Sequence, residues 1–589
     1  MKSTNNKFKS KYYKGLGSSS RTEVKDTFGK KLIEFSYTVE RDSKSLIDTF
    51  KKDESDRRKE MMAEYNPASY KLFDNGPGVS SLSISDFLNY YMIQFSIANC
   101  KRMIPGLMDG LKESQRKVLY ACFKRNLKNP IKVSQLAGYI SEHTAYHHGE
   151  VSLQGTIIGM ASCYTGGNNL PLLARGGEFG SRKSMGKDAA SPRYIFTYLD
   201  EITRIIFNKE DDDLLERIID DGMIVEPKFY VPVIPTVLAN PCNAAIGSGW
   251  SSTIPGYNPL ELADCVKCWL ENGNSCFDEN GENILPELLP WYLFYNGEIK
   301  KIDEHRYKTY GNFERVDDRN IEIKELPIGV STDDFYDMLK NLLVEKEIDK
   351  ITNLSSVTSV HFKIKESENG VNRNSENLKL SSSLATSNMV LFDENGTIKR
   401  YNNVYEIIDS FCKVKYHYTE KRKNNMIKRY RNELKIFTNK KRFLEEIISK
   451  TLIIFEKDES VIIKELEEKG YDKVTKNMND EEEDDIEQEE EIENKIIKKD
   501  KGYEYLLGMH VRSFTSNKLN EFLKEIERLK RLIKDIENTS VKEIWISELE
   551  SFKTEYENMM IRLRNELEDS NEESKNSTKK TIKKKLIKK

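Results

Sequence analysis

From Cys412 to Lys450 the chain has little proline or glycine and is dense in lysine, arginine and glutamate. A stretch that keeps its backbone donors and avoids the glycine penalty predicts one long helix. A second helical segment runs from Asn520 to Ile536, where Phe522, Ile526, Leu529, Leu532 and Ile533 recur at helical spacing. The pattern predicts two long antiparallel helices with a small globular element between them, from Thr451 to Ser516 around Leu506-Leu-Gly-Met509. Apolar stripes on long helices need a partner to bury them, so residues 411–565 are expected to hold a homodimer together.

The 589 residues suffice for several domains, and 38% hydrophobic with 32% charged residues suits a soluble protein with long exposed helices. No apolar run approaches the roughly 18 residues of a membrane span, so no membrane partner is expected. The polar, lysine-rich N-terminus lacks the apolar core of a signal peptide. Eight scattered cysteines fit a reducing compartment. A formal net charge of −3 argues against a uniformly basic nucleic-acid binder, but the distribution matters more. Asp480–Glu493 is an acidic run and Lys575–Lys589 is rich in lysine without an acid. These offset each other and leave visible the basic character of the N-terminal third.

Within residues 84–210, Val133, Leu136, Ala137 and Ile140 predict one helix, a turn follows around His143–His147, and Val151, Leu153, Ile157, Ile158 and Ala161 predict a second. Helix-turn-helix is the natural reading. The preceding helix, Lys112–Arg125, sets Lys112, Arg116 and Lys117 on one side and Val118, Leu119 and Cys122 on another. A basic helix face is ordinarily just solvated. Residues 211–410 mix β-rich runs, Tyr230-Val-Pro-Val-Ile and Arg319-Asn-Ile-Glu-Ile, with helices such as Asp333–Val344, and Glu366–Asn388 is expected to be a mobile loop.

The chemistry centres on Arg193-Tyr194. A tyrosine hydroxyl is a poor nucleophile at its free pKa of roughly 10. An adjacent guanidinium can stabilise the phenolate and the charge growing on a phosphate under attack. An isolated Arg-Tyr pair is usually an aromatic in a core beside a surface arginine; the rest of the chain changes that reading. Arg102-Met-Ile-Pro-Gly-Leu-Met-Asp-Gly-Leu-Lys112 leads into Gln115-Arg116-Lys117. Gln135-Leu-Ala-Gly-Tyr-Ile-Ser-Glu142, Tyr146-His147-His148-Gly149-Glu150 and Gly176-Gly-Glu-Phe-Gly180-Ser-Arg182 follow. Glu226-Pro-Lys-Phe-Tyr-Val-Pro-Val-Ile-Pro235 and Ala245-Ile246-Gly247-Ser-Gly249-Trp250 complete the series.

In order and spacing this series resembles the DNA-cleavage core of eukaryotic-type (type IIA) DNA topoisomerase II, most specifically from Tyr12 to Pro255 and more weakly to residue 565. Pro241-Cys-Asn-Ala-Ala is one residue longer than the family's pattern. The resemblance implies an α+β multidomain fold with a winged-helix (helix-turn-helix) domain, a mixed α/β tower domain and a long antiparallel coiled-coil gate. The expected divisions are a Toprim remnant (1–35, around Tyr12-Tyr-Lys-Gly15-Leu-Gly17), a helical connector (36–83), the winged-helix domain (84–210), the tower (211–410), the gate with its acidic insertion 480–493 (411–565) and a disordered basic tail (566–589). That tail suits nonspecific phosphate contact, a nuclear address or simple solubilisation.

The resemblance further implies a transient double-strand break through a 5′-phosphotyrosyl link, with another duplex passing through it. Tyr194 would carry the DNA, Arg193 would hold the scissile phosphate, and His147 and His148 would donate to phosphates. Arg102, Lys112, Arg116, Lys117 and Arg182 would contact DNA. Ile246, on a glycine-rich turn, would wedge between base pairs, or else simply pack. Paired histidines also raise a metal site, but no cysteine or carboxylate cluster with ligand spacing accompanies them. Cys265-Val-Lys-Cys268 has no second pair and is not read as zinc.

The family's Mg²⁺ ligands precede the Lys-Gly-Leu-Gly turn, and here the first acidic residue is Glu23. Mg²⁺ and ATP are therefore expected to be bound by a partner or by an upstream part of the same polypeptide carrying the Toprim and ATPase domains. The reading is the breakage-reunion part of an ATP-hydrolysing type II topoisomerase, acting on duplex DNA inside a cell, in a nucleus or a viral factory. The alternatives are a non-catalytic DNA-binding and dimerisation protein of the same fold, and a tyrosine recombinase, which lacks the paired-helix gate.

Overall fold

The computed structural model describes residues 20–28, 32–65, 81–220, 222–368, 374, 376–454, 456–474, 502–510 and 515–587. The expected Tyr12–Gly17 turn and the acidic run Asp480–Glu493 lie outside the described residues. The chain divides into two units, residues 1–105 with 244–252 and 390–399, and residues 106–243 with 253–389 and 400–589.

The first unit opens with α1 (Arg21–Thr27), started by a capping box between Ser20 and Glu23. Strand β1 (Glu34–Ser36) pairs in parallel with β2 (Ser81–Ser83), so Phe35 faces Leu82. Between them lie α2 (Val39–Phe50) and α3 (Ser55–Ala63). Asp42 of α2 is buried and accepts from Thr38 N at 2.7 Å, Ser85 N at 2.9 Å and Ser85 Oγ at 2.7 Å. Those bonds tie α2 to the single turn α4 (Ile84–Asp86), which continues through a π turn, Phe87–Met92, into α5 (Ile93–Met103).

The second unit begins with the helix-turn-helix. Helix α6 (Glu113–Lys124) is followed by β3 (Ile131–Lys132), α7 (Val133–His143), α8 (Glu150–Ala161), β4 (Leu173–Gly176) and β5 (Phe196–Leu199). The strands form one antiparallel sheet in the order β3-β5-β4, with Lys132 opposite Phe196 and Gly176 opposite Phe196 on the other side. This is the winged-helix arrangement. Val133, Leu136, Ala137 and Ile140 are all fully buried, as their i, i+3, i+4, i+7 spacing requires. On α8 the inward stripe is Leu153, Ile157, Met160 and Ala161, while Val151, expected on it, is 81% exposed. Val151 precedes Leu153 by two residues, which puts it on a different face of the helix.

Short turns α9 (Thr203–Ile206) and α10 (Thr236–Ala239) flank the hairpin of β6 (Arg217–Asp220) and β7 (Met223–Pro227). Tyr230–Ile234, expected as a strand, is buried but forms none: its one ladder-like bond is Val233 N to Ile206 O, at 2.9 Å. Strands β8 (Cys242–Ile246) and β9 (Ser251–Ile254) form a hairpin, and α11 (Pro259–Glu271) follows.

The tower builds on two sheets. In the first, β10 (Glu298–Asp303), β11 (Arg306–Tyr310) and β16 (Ser381–Ala385) run antiparallel. In the second, β12 (Phe313–Arg315), β13 (Asn320–Ile323), β15 (Phe362–Glu366) and β14 (Ile348–Asn353) lie in that order against α12 (Thr332–Val344). Ile321, Ile323, Phe335, Leu339, Phe362 and Ile364 form the core between sheet and helix. The second half of the loop expected at 366–388 is not loose. Leu378 and Leu380 are buried and β16 is paired, because apolar residues punctuate this otherwise polar run. A β17–β18 hairpin (Met389–Phe392, Ile398–Tyr401) closes the tower sequence.

Helix α13 (Val404–Ile448) is 45 residues long. It leads to a small element with α14 (Glu459–Glu468) and α15 (Glu504–Leu507), whose core is Phe443, Leu452, Ile462, Leu466, Tyr471, Tyr503 and Leu506. Helix α16 (Ser516–Asn538) returns antiparallel: Phe437 meets Phe522, and Lys423 Nζ donates to Thr539 O at 2.7 Å. The buried stripe of α16 is Phe522, Ile526, Leu529 and Ile533.

The last helix departs from expectation. Helix α17 runs from Val541 to Ile587, so the backbone stays helical where a disordered tail was expected from 566. No proline or glycine interrupts that stretch. Residues 541–565 touch the base of α13, where Arg422 pairs with Glu548 and Phe411 meets the Trp545 ring, and they reach beyond it. Trp545 Nε1 donates to Val233 O at 2.9 Å and Tyr556 Oη donates to Asn169 O at 3.1 Å, which docks α17 on the winged-helix side.

Candidate active site

Tyr194 stands in the turn that enters β5, at the base of the wing between β4 and β5. Its ring is 70% exposed, although the next residue, Ile195, is buried. That contrast comes from the local backbone: Tyr194 N donates to Ser191 O at 2.9 Å, closing a turn that throws the phenol outward. The turn is anchored from beneath by the start of α7, where Val133 N donates to Ile195 O at 3.1 Å and Ser134 N to Pro192 O at 3.2 Å. Arg193 is also exposed, its guanidinium carbon 5.9 Å from the Tyr194 ring centroid. Gly177, φ +110°, shapes the start of the wing: a Cβ there would sit 2.9 Å from Ile195 Cγ2.

His147 and His148 follow the C-terminal end of the same α7. The helix ends at His143, Thr144 caps it, and Ala145 takes a left-handed φ of +48° before the histidines. His147 Nε2 lies 3.7 Å from Asp220 Oδ2, and His148 meets the Tyr146 ring edge-on at 5.5 Å. Directly after them α8 begins at Glu150 with no side-chain cap on Gly149. The first N–H groups of a helix with two histidines in front of them suit a phosphate.

Of the basic residues expected on DNA, three are interior. Arg116 is buried and bound to Asp109, Nε to Oδ2 at 2.7 Å and Nη2 to Oδ1 at 3.0 Å. Lys117 is buried, its Nζ 2.8 Å from Glu226 Oε1 and 2.7 Å from Thr144 O. Arg182 is buried against Glu325 and donates to Leu326 O at 2.9 Å. Each expected DNA contact is corrected for the same reason: the charge is neutralised by a carboxylate inside the protein, and burial keeps it from a duplex. Lys112 is half-buried at the start of α6, its N–H on Gln115 Oε1 at 2.9 Å. Lys183 and Lys187, which are not among the expected contacts, are exposed between β4 and β5.

Arg102 and Ile246 belong to the first unit. Arg102 lies in the last turn of α5, half-buried. One turn earlier, Asn99 Oδ1 accepts from Ser248 N at 3.0 Å and Cys100 Sγ donates to Ser248 O at 3.3 Å. So α5 carries both Arg102 and the seat for the turn after β8. Ile246 is 64% exposed at the tip of that hairpin, with buried Ala245 before it. Gly247 is required there, because a Cβ would lie 2.8 Å from Cys100 Sγ. Ile246 is thus an exposed apolar side chain on a turn fixed by its neighbours.

Among the described residues no group of three or more His, Cys, Asp or Glu is placed to hold a metal ion. The donor set at His147 comprises one imidazole and one carboxylate at 3.7 Å, which does not fit the carboxylate cluster a Mg²⁺ site needs. None of the eight cysteines is in a disulfide, and Cys268 Sγ accepts from Asn272 Nδ2 at 3.0 Å. No helix among the described residues is long and apolar enough to cross a membrane.

Comparison with known proteins gives the family. Residues 102–550 match the DNA gyrase/topoisomerase IV family model, and residues 1–100 match that for the C-terminal associated domain of TOPRIM. DNA topoisomerase 2 of Plasmodium falciparum is 39% identical over 567 residues, covering 92% of this chain and 39% of that protein. The Saccharomyces cerevisiae DNA topoisomerase 2 is 36% identical, covering 94% of this chain and 40% of that protein. The DNA topoisomerase 2 of Invertebrate iridescent virus 6 is 37% identical, over 92% of this chain and 45% of that protein. This chain thus spans less than half the length of these relatives. A crystal structure described as the Plasmodium falciparum topoisomerase II DNA-binding, cleavage and re-ligation domain superposes with a TM-score of 0.79 at 37% identity, covering 95% of this chain and 76% of that one.

Proposed function

The chain belongs to the type II topoisomerases of the DNA gyrase/topoisomerase IV family, and from that premise we propose that it is the part of such an enzyme that breaks and rejoins duplex DNA. One observation carries the proposal: an exposed tyrosine phenol beside an exposed arginine, both on the rigid base of a wing.

The Tyr194 oxygen attacks a backbone phosphorus, the bond from phosphorus to the 3′ oxygen breaks, and the phenolic proton is balanced by the proton taken up at the freed 3′ hydroxyl. The product is a 5′-phosphotyrosyl ester of Tyr194 with a free 3′ end. Reversal reseals the strand without a nucleotide, because the ester keeps the bond. Arg193 holds the phosphate and stabilises its added negative charge. His147, His148 and the start of α8 hold neighbouring phosphates. Ile246 wedges the duplex and Arg102 and Lys112 contact DNA.

Two copies, each with one Tyr194, would cut the two strands, joined by the element between α13 and α16. Mg²⁺ would supply charge stabilisation at the leaving oxygen and ATP would supply the drive for strand passage. In the working enzyme both would be held by residues other than those described here. The setting is wherever the DNA is, in a nucleus or a viral factory.

Analysis of end-labelled duplex tests the proposal. Protein attached to the 5′ ends of a staggered break supports it. Attachment to 3′ ends supports the recombinase reading, and binding without any covalent product under all partner and metal conditions supports a non-catalytic protein.

A further inference from the structure

The buried ammonium of Lys117 has a consequence for the reaction, and this inference rests on the breakage-reunion reading. Lys117 Nζ is held between Glu226 Oε1, at 2.8 Å, and Thr144 O, to which it donates at 2.7 Å. Thr144 is the residue that ends α7. Its own hydroxyl donates to Ile140 O at 2.7 Å, and the chain reverses at Ala145, φ +48°, into Tyr146, His147 and His148. A left-handed alanine is an uncommon conformation that its surroundings must impose. The ammonium sits on the carbonyl one residue earlier, at the start of that reversal.

An ion pair is a costly way to fill this space, since an apolar pair of similar bulk is often as stable or more so. Burial lifts the Glu226 carboxyl above the ordinary carboxylate range, opposed by Lys117. Glu226 Oε2 has no hydrogen-bond partner among the described residues, so that carboxylate is committed to Lys117. Its strand, β7, pairs with β6, which presents Asp220 at 3.7 Å from His147. One hairpin therefore supports the histidine turn at two points. At its other end α7 holds the Tyr194 turn through Val133 N and Ser134 N. The helix is a rigid spacer with the nucleophile's turn at its start and the histidines just past its end.

We propose that Lys117 is a positioning residue for DNA cleavage: its ammonium, held by Glu226 on the Thr144 carbonyl, fixes the His147–His148 turn at a set distance from Tyr194.

The test separates positioning from charge balance. Lys117→Met leaves Glu226 buried without a partner, whereas Lys117→Met/Glu226→Leu replaces the pair with apolar bulk and restores stability. Two readings are taken on each variant. The first is the ¹³C–¹H ring spectrum of the seven histidines in the full chain. The second is the rate of DNA attachment to Tyr194 at saturating DNA, in the enzyme completed by its metal- and ATP-binding parts. In the doubly substituted chain the His147 and His148 signals are expected to move while the others stay, and attachment to slow by about tenfold or more with half-saturating DNA unchanged. A stable double variant with unmoved His147 and His148 signals and a normal rate overturns the proposal. If that pair does not fold, Lys117→Met/Glu226→Gln is read the same way. A wild-type enzyme with no attachment at Tyr194 sinks the breakage-reunion reading itself, and this inference with it.

Discussion

The Asp109 carboxylate grips the Arg116 guanidinium at two points, Nε at 2.7 Å and Nη2 at 3.0 Å, and also accepts the N–H groups of Leu111 and Tyr230 at 3.0 Å each. Arg116 further donates to Leu111 O at 2.9 Å. Removing one partner of such a buried pair strands the other's charge. Arg116→Leu is expected to cost about 3–5 kcal/mol in denaturant unfolding. The slope of log affinity for DNA against log salt should stay unchanged, because Arg116 neutralises no phosphate. A slope lowered by about one unit with normal stability would return Arg116 to the DNA.

A second buried network sits where the long helix α13 leaves its base. Lys415 and Arg422 of α13 meet Asp211, at 3.4 and 2.9 Å, and Glu548 of α17. Asp211→Ala leaves two cations facing a single carboxylate and is expected to destabilise the chain by about 3 kcal/mol or more. Lys428→Ala, on the exposed face of the same helix, should change stability by less than about 0.5 kcal/mol. Thermal unfolding of the two variants compares them directly; equal losses would count against the network.

Acid should loosen the first unit through Asp42. Hydrogen bonds from the Thr38 backbone, and then from Ser85, hold its carboxyl at about 2, below the ordinary 3.8. A depressed pKa means the folded chain binds fewer protons than the unfolded chain in that interval. The contribution of Asp42 is therefore fully present above about pH 4 and is lost as pH falls toward 2. Hydrogen exchange at Ser85 N should speed up across that window in the wild type. In Asp42→Asn the exchange should be faster throughout and lack this step; an unchanged step would assign it to another group.

How much of this was legible in the sequence depended on the range of the interactions involved. The helix-turn-helix was readable because Val133, Leu136, Ala137 and Ile140 declare their face by spacing alone. The long helix was readable because nothing in Cys412–Lys450 can break it. Tyr194 and Arg193 stood out only through the ordered motifs around them, since adjacency alone does not distinguish such a pair, and both side chains are exposed on one turn. The fates of Arg116, Lys117 and Arg182 were not readable. Their carboxylate partners are Asp109, on the loop before the helix, Glu226 on a later hairpin, and Glu325 in the tower. Local periodicity places a charge on a helix face, but only tertiary packing decides whether that face is covered. The return of α17 was hidden likewise, since Trp545 and Tyr556 find backbone carbonyls hundreds of residues earlier.

The Ile246 turn separates wedge from packing. Because the side chain is 64% exposed, Ile246→Ala should change stability by less than about 0.5 kcal/mol. DNA bending, read by energy transfer between the ends of a labelled duplex, should fall while the salt slope of binding holds. Gly247→Val should instead disturb the fold, since its Cβ would meet Cys100 Sγ at 2.8 Å and Cα at 3.2 Å. Normal bending by a stable Ile246→Ala protein would remove the wedge.

The most direct measurement is covalent capture. Labelled duplex is incubated with the enzyme completed by its metal- and ATP-binding parts, trapped with denaturant, and resolved on a denaturing gel. The account predicts DNA attached to this chain through the Tyr194 oxygen. It also predicts that Tyr194→Phe, which removes one exposed hydroxyl, abolishes the attachment while leaving DNA affinity within about twofold. Covalent attachment that persists in Tyr194→Phe, or a wild-type enzyme that relaxes DNA without ever linking to it, would contradict the account.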